Sequence, residues 1–223
     1  MLSLLKKGRR PSKFDRSIHE AVRKFESDEK RRELLIKDSR DVISFCSKAI
    51  VASHIGDFRV AKMNIENASE GLKKLRVAAA SDLDRYIQSS EMEYVEATVF
   101  LALLNNREIP GLEEIGVKPS SYVLGLLDVV GELKRKVFDY VRVDKQREAS
   151  RLFEYAESIY LTIKPLAIFD NLIPGMRRKL DVDRMLLEDM RGLMTEEVRR
   201  NRLLDSLNRV ERKLGQGKIS FTK

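Results

Sequence analysis

Ser90-Glu91-Met92-Glu93-Tyr94-Val95-Glu96-Ala97-Thr98-Val99-Phe100-Leu101-Ala102-Leu103-Leu104 is the stretch on which the fold turns. It contains no proline or glycine, so nothing interrupts a helix. At 100° per residue, Glu93, Glu96, Ala97, Phe100 and Leu104 fall on one stripe, while Glu91 points to a different face. Two carboxylates three residues apart have Cβ atoms about 5–6 Å from one another. Like charges on a semi-apolar stripe repel and are poorly solvated, so one is protonated or both meet cations. Two readings stay open. The pair could hold Mg2+ or Mn2+, hard cations that take oxygen ligands and can activate water for phosphodiester cleavage. It could equally form buried salt bridges, since 43 Lys and Arg residues make partners plentiful.

Outward from this stretch the pattern stays helical, and strand signals are nearly absent. A basic arm, residues 1–16, passes through Pro11-Ser12. A long helical run follows from about Ser17 to Ile55, with Ile18, Val22 and Phe25 on one face, Leu35, Val42, Ile43, Cys46 and Ile50 later, and Gly56-Asp57 as its stop. A second helix spans about Phe58–Ala80. Ser81 is the expected N-cap of the third, about Asp82–Asn105. After a connection with Pro110-Gly111 and Gly116, Pro119 opens a fourth helix to about Val141. A fifth covers about Lys145–Ile163. A basic sixth begins near Met176 after Pro174-Gly175, and a last runs over about Glu196–Leu214, ahead of a polar tail, 215–223. The spacing predicts an all-α fold, an elongated bundle of six to seven helices forming one domain over 17–214. Long amphipathic helices leave apolar surface on their far faces, so a homo-oligomer is expected.

Composition narrows the function classes. The 223 residues are 43% hydrophobic and 35% charged, with a formal net charge of +8, which favours a polyanionic partner. A single cysteine, Cys46, permits no intrachain disulfide and fits a reducing cytoplasm, and its helical setting reads as a buried, inert thiol. No window reaches the ~20 apolar residues of a membrane span, so a soluble, cytoplasmic protein is expected. His19 and His54 lie in no ExxH or HxxxH pattern, cysteines for zinc are lacking, and there is no Walker A or GxGxxG glycine pattern.

Other polar ribbons admit two readings each. Asp128, Glu132, Arg135 and Asp139 share one face of the fourth helix, as a solvated face with intrahelical ion pairs would. Glu157 borders the apolar face of Leu152, Ala156, Ile159 and Ile163. Basic residues gather in the arm (Lys6, Lys7, Arg9, Arg10, Lys13), at the start of the sixth helix (Arg177, Arg178, Lys179, Arg184) and in the last helix (Arg199, Arg200, Arg202). Such groups can track phosphates or merely solubilise. The cluster after Pro174-Gly175 is the more specific, because cations at a helix N-terminus oppose its dipole unless an anion is held there.

Two segments together carry a family resemblance. Glu93-Tyr94-Val95-Glu96-Ala97, and the run Tyr122-x-Leu124-Gly125-x-x-Asp128-x-x-Gly131-Glu132-Leu133, resemble the translin family, in its translin-associated factor X branch. Ser39-Arg40-Asp41 and Glu148-Ala149-Ser150 fit the same pattern, collinear from about Arg31 to Arg191. The resemblance implies a seven-helix fold assembling into closed, roughly octameric shells that bind single-stranded RNA or DNA. It implies that the factor-X branch is a metal-dependent endoribonuclease, and Glu93 and Glu96 match its two catalytic glutamates. The third acid of that branch is an aspartate where Ser158 stands here, with Glu157 one residue earlier. A one-residue shift turns a side chain by about 100°. The expectation is therefore an Mg2+- or Mn2+-dependent endoribonuclease with Glu93, Glu96 and Glu157 as catalytic metal ligands. Asp128 and Glu132 would support them, and Arg177, Arg178, Lys179, Arg184 and the arm would contact RNA. The alternatives are a non-catalytic RNA- or DNA-binding oligomer and a helical scaffold held by structural salt bridges.

Overall fold

The computed structural model describes residues 12–80 and 83–217. Helix α1 spans Lys13–Ile55, α2 Phe58–Ala79, α3 Gln88–Leu104, α4 Leu112–Ile115, α5 Pro119–Arg142, α6 Gln146–Ile163 and α7 Met176–Gly217. No strand occurs among the described residues. The arm residues Lys6, Lys7, Arg9 and Arg10, and tail residues 218–223, lie outside them.

Local chemistry sets the boundaries. Ser12 begins α1 through a capping box: its hydroxyl accepts from Asp15 N at 3.1 Å, and the Asp15 carboxylate accepts from Ser12 N at 2.8 Å. The helix therefore starts four residues earlier than the apolar pattern alone indicates. Gly56, at φ 84°, ends α1 in the left-handed region, and Asp57 caps α2 through Val60 N at 3.1 Å. Pro119 occupies the first turn of α5, where a missing N–H costs nothing. The third helix begins later than expected, because a 3-10 turn at Asp84–Tyr86 comes first; Ser81 lies outside the described residues.

Helix α1 packs on α2 and α3, α3 packs on α5, and α5 carries α6 and α7. One continuous core links Leu35 and Leu72 to Phe100, Leu127, Leu133, Leu152 and Met190. The tightest approach brings α5 onto α3: a Cβ at Gly125 would lie 2.7 Å from the Met92 carbonyl oxygen and 2.7 Å from Val95 Cβ. Only a residue without a side chain lets these backbones come so close. Asp128 and Glu132, one and two turns further along α5, are thereby aimed at the acidic stripe of α3.

The expected sixth and last helices are one helix. Helix α7 runs unbroken through Gly192 and Thr195, where the two were expected to part. Nothing crowds Gly192, and Thr195 Oγ1 donates to Arg191 O at 2.7 Å, bonding back into its own helix and capping nothing. Buried Leu187 and Met190 precede this point and buried Glu197 follows it, so packing on the bundle carries the helix across.

Candidate active site

Glu93 and Glu96 project from α3 into a half-buried space shared by α1, α5 and α7. Neither carboxylate makes a hydrogen bond or an ion pair with any of the described residues, so the salt-bridge reading does not describe this pair. Burial, with the charges of Asp128 and Glu132, raises the Glu93 carboxyl above its ordinary value, opposed by Lys179. Glu96 is pushed up to about 8, by burial first and then by Glu93, Asp128 and Glu132. Cys46 stands behind the pair. Burial, reinforced by Glu93 and Glu96, pushes its thiol to about 12, so it is inert, in keeping with its full enclosure.

Glu91, on a different face of α3, has the opposite setting. It is 1% exposed and accepts from Arg76 Nε at 3.1 Å and Ser121 Oγ at 2.6 Å. It pins α2 and the start of α5 to α3, a structural role. Ser39, from the Ser-Arg-Asp segment, likewise serves packing: its hydroxyl donates to Tyr86 O at 3.3 Å.

The acids of α5 are each held by one base. Glu132 pairs with His54 Nε2, whose ring lies 4.7 Å from that of Phe100. His54 Nδ1 is buried with no partner among the described residues, and Lys136 Nζ donates to the His54 carbonyl at 2.7 Å. Asp128 pairs with Lys179 of α7. The basic cluster of α7 is thus divided: Lys179 turns into the acidic site, while Arg177, Arg178 and Arg184 remain exposed. Of these, Arg177 lies 3.9 Å from Asp170, and Arg178 lines a cavity of about 280 Å³ with Asp128, Lys179 and Asp183.

Glu157 is not brought to the pair. It lies on the outward side of α6, with Arg191 Nη2 2.5 Å from its carboxylate and exposed Ser158 beside it. Helix α5 packs between α3 and α6, and Glu157 is not among the charges acting on Glu93 or Glu96. The expectation that it completes the ligand set finds no support in this geometry: Glu157 is half-buried and engaged by Arg191.

One residue of the site escaped the sequence reading. Asp183 is 3% exposed, its Oδ2 has no partner among the described residues, and burial, aided by Asp128, pushes its carboxyl up to about 7. Its signal was available: Met176, Leu180, Asp183, Leu187 and Met190 repeat at spacings of four and three and are all buried, so a carboxylate occupies a core position of an apolar stripe.

The donor set suits a hard divalent cation in its chemistry. Glu93, Glu96, Asp128 and Glu132 all offer oxygen, and the two on α3 form no ion pair among the described residues. The arrangement does not present a finished ligand shell, because among the described residues no three His, Cys, Asp or Glu side chains converge closely enough to hold a metal ion. Asp128 and Glu132 are engaged by Lys179 and His54 instead. Among the described residues no helix is long and apolar enough to cross a membrane.

No protein-family model matches the chain. It is 30% identical over 188 residues to an uncharacterized protein of Methanocaldococcus jannaschii, covering 83% of this chain and 84% of that protein. Among solved structures, it resembles AfC3PO at 27% identity with a TM-score of 0.75, over 81% of this chain and 96% of the other. AfC3PO solved in complex with duplex RNA gives 26% identity and the same TM-score. Apo-NeC3PO shares the fold at 22% identity and a TM-score of 0.70, over 84% of this chain and 98% of that one. These C3PO structures are of the translin family, and the shared helical fold and likeness along most of both chains make this a translin-like protein.

Proposed function

We propose that this protein binds RNA and cleaves it endonucleolytically with Mg2+ or Mn2+ held by Glu93 and Glu96, as the factor-X branch of the translin family does. The observation that carries the reading is the pair itself: two half-buried carboxylates beside Asp128, without a cation partner among the described residues, with Glu96 held near 8. Two carboxylates crowded in a half-buried space are costly to ionise together unless a positive ligand completes them. Two carboxylates suffice for Mg2+, which keeps waters and takes substrate phosphate oxygens for its other positions. Bound there, the ion would supply Lewis acidity for hydrolysis of a phosphodiester.

The chain's own groups have separate tasks in this reading. Glu93 and Glu96 bind the ion, and Asp128, whose charge acts on both, is a further oxygen donor. His54 fixes the orientation of Glu132. Exposed Arg177, Arg178 and Arg184 lie on the same helix as Lys179 and offer phosphate contacts, joined by the arm residues Lys6, Lys7, Arg9 and Arg10. The substrate is RNA, single-stranded by the family resemblance; the AfC3PO complex was solved with duplex RNA, so both forms belong in the assay. The working form is a homo-oligomer, octameric if the family's closed shell applies, and cytoplasmic.

A second reading, a non-catalytic RNA- or DNA-binding oligomer, is favoured by one observation: no three-acid group is formed among the described residues, and Ser158 stands at the third acid's place. Purified protein incubated with labelled single-stranded and duplex RNA decides between them. Cleavage with Mn2+, lost in both Glu93→Ala and Glu96→Ala while RNA binding persists, is the expected result. Binding without cleavage selects the second reading, and cleavage undiminished in both variants removes the pair from catalysis. No binding even at low salt leaves the scaffold.

A further inference from the structure

Asp183 has no explanation in the reading above. A carboxylate with no hydrogen-bond partner among the described residues, 3% exposed, costs stability that an apolar residue at this core position would not. Its surroundings supply a reason. Lys179 lies four residues earlier on α7, so the two side chains share a face and their Cβ atoms are about 5–6 Å apart. Both line the same cavity of about 280 Å³, with Asp128 across from them on α5. The Lys179 ammonium thus has two carboxylates within its range, Asp128 on the neighbouring helix and Asp183 one turn along its own. It is bonded to Asp128 and leaves Asp183 Oδ2 without a partner among the described residues.

We propose that Asp183 is the second seat of the Lys179 ammonium, a positioning residue whose capture of Lys179 releases Asp128 to join Glu93 and Glu96 around a divalent cation. This rests on the reading of Glu93 and Glu96 as cation ligands. The same interaction accounts for two observations at once. While Lys179 holds Asp128, a three-carboxylate group cannot form, and none is present among the described residues. Without an alternative acceptor, an incoming dication would strand the half-buried ammonium, whose side chain is 22% exposed, against its own repulsion. With Asp183 one turn away, the ammonium exchanges one carboxylate for another and stays paired throughout. Arg178 and the ammonium itself exclude the cavity as a second metal site, since any cation there would meet both.

The test is Mn2+ affinity of the full chain without RNA, read by titration calorimetry and by the electron paramagnetic resonance signal of free Mn2+. Asp183→Asn is expected to weaken Mn2+ about tenfold, the usual scale for removing a partner that orients a ligand. Asp183→Glu retains the acceptor and is expected to restore most of the affinity. Lys179→Met removes the competitor and is expected to tighten binding. In that background Asp183→Asn is expected to have no effect, because there is no ammonium left to accept. Equal weakening by Asp183→Asn with and without Lys179, or no weakening in either, overturns the proposal, and thermal melts of each variant confirm that it is folded. Binding that survives both Glu93→Gln and Glu96→Gln strikes instead at the underlying site, as does a wild-type chain that takes up no Mn2+. If Glu93 and Glu96 are needed but Asp183 and Lys179 are not coupled, only the exchange is lost.

Discussion

At the scale of the residue, the two glutamates Glu91 and Glu96 show how one helix turns the same side chain to opposite ends. Glu91 is fully buried and compensated by Arg76 and Ser121. Glu96 has no hydrogen-bond or ion-pair partner among the described residues and only the distant charge of Lys179 opposing its burial, and its proton is the consequence. Its folded pKa of about 8 lies above the ordinary 4.5. Between those pH values the folded chain keeps a proton the unfolded chain has lost, so Glu96 makes stability fall as pH rises from about 4.5 to about 8. In a metal-free buffer, Glu96→Gln should flatten that slope and raise the melting temperature at pH 8, by roughly 2–4 °C for each kcal/mol of relieved burial. Identical pH profiles for the two chains would show that ionising Glu96 costs nothing. For the compensated acid the sign is reversed: Arg76→Ala strands a buried carboxylate and should cost about 3 kcal/mol in urea unfolding.

At the scale of the element, the contact of α5 with α3 is the joint on which the site depends. Gly125 allows it, and Asp128 and Glu132 follow on the same side of α5. Gly125→Ala must push the Met92 carbonyl and Val95 away, at a cost of about 1–3 kcal/mol, seen as a lower urea midpoint with an unchanged slope. Because the displacement separates the acids of α3 from those of α5, the same variant should also weaken Mn2+ binding. Helix α7 shows a different dependence. Its course through Gly192 and Thr195 is decided by what it packs on, and that continuity sets Lys179 and Asp183 against α5 while Arg191 meets Glu157 on α6.

At the scale of the whole molecule, both long helices outrun the bundle. Arg31 reaches the carbonyls of Ala78 and Ala79 at the end of α2, so the part of α1 before it projects, with Phe14, Ile18 and Phe25 exposed. Beyond Asn201, which bonds Gln146 of α6, α7 carries exposed Leu203, Leu207, Val210 and Leu214 at spacings of four, three and four. That is the seam of a coiled coil without its partner. The pair Leu207→Lys and Val210→Lys should therefore shift the molecular mass seen by light scattering toward the monomer, while leaving the helical circular dichroism of the bundle. For RNA, Arg178→Ala should lower affinity across sequences and reduce the slope of log affinity against log salt by about 0.7–0.9, one phosphate contact. An unchanged slope would remove Arg178 from the interface.

The helices, the family motifs and the convergence of Glu93 with Glu96 were legible in the sequence, because they depend on spacings within one helix, which 100° per residue fixes without reference to anything else. The positions of Glu157, Lys179 and Asp183 were not. Glu157 and Ser158 differ by one residue in sequence, but which of them could meet α3 depends on α5 lying between. Lys179 reads as one of four basic side chains at a helix start, and only the packing of α7 on α5 turns it to Asp128. Asp183 lay visible in an apolar stripe, yet its loneliness is a property of three helices together. Sequence determined which residues share a face; the tertiary structure decided what each face meets, because compensation of charge is settled by neighbours from other elements and by burial.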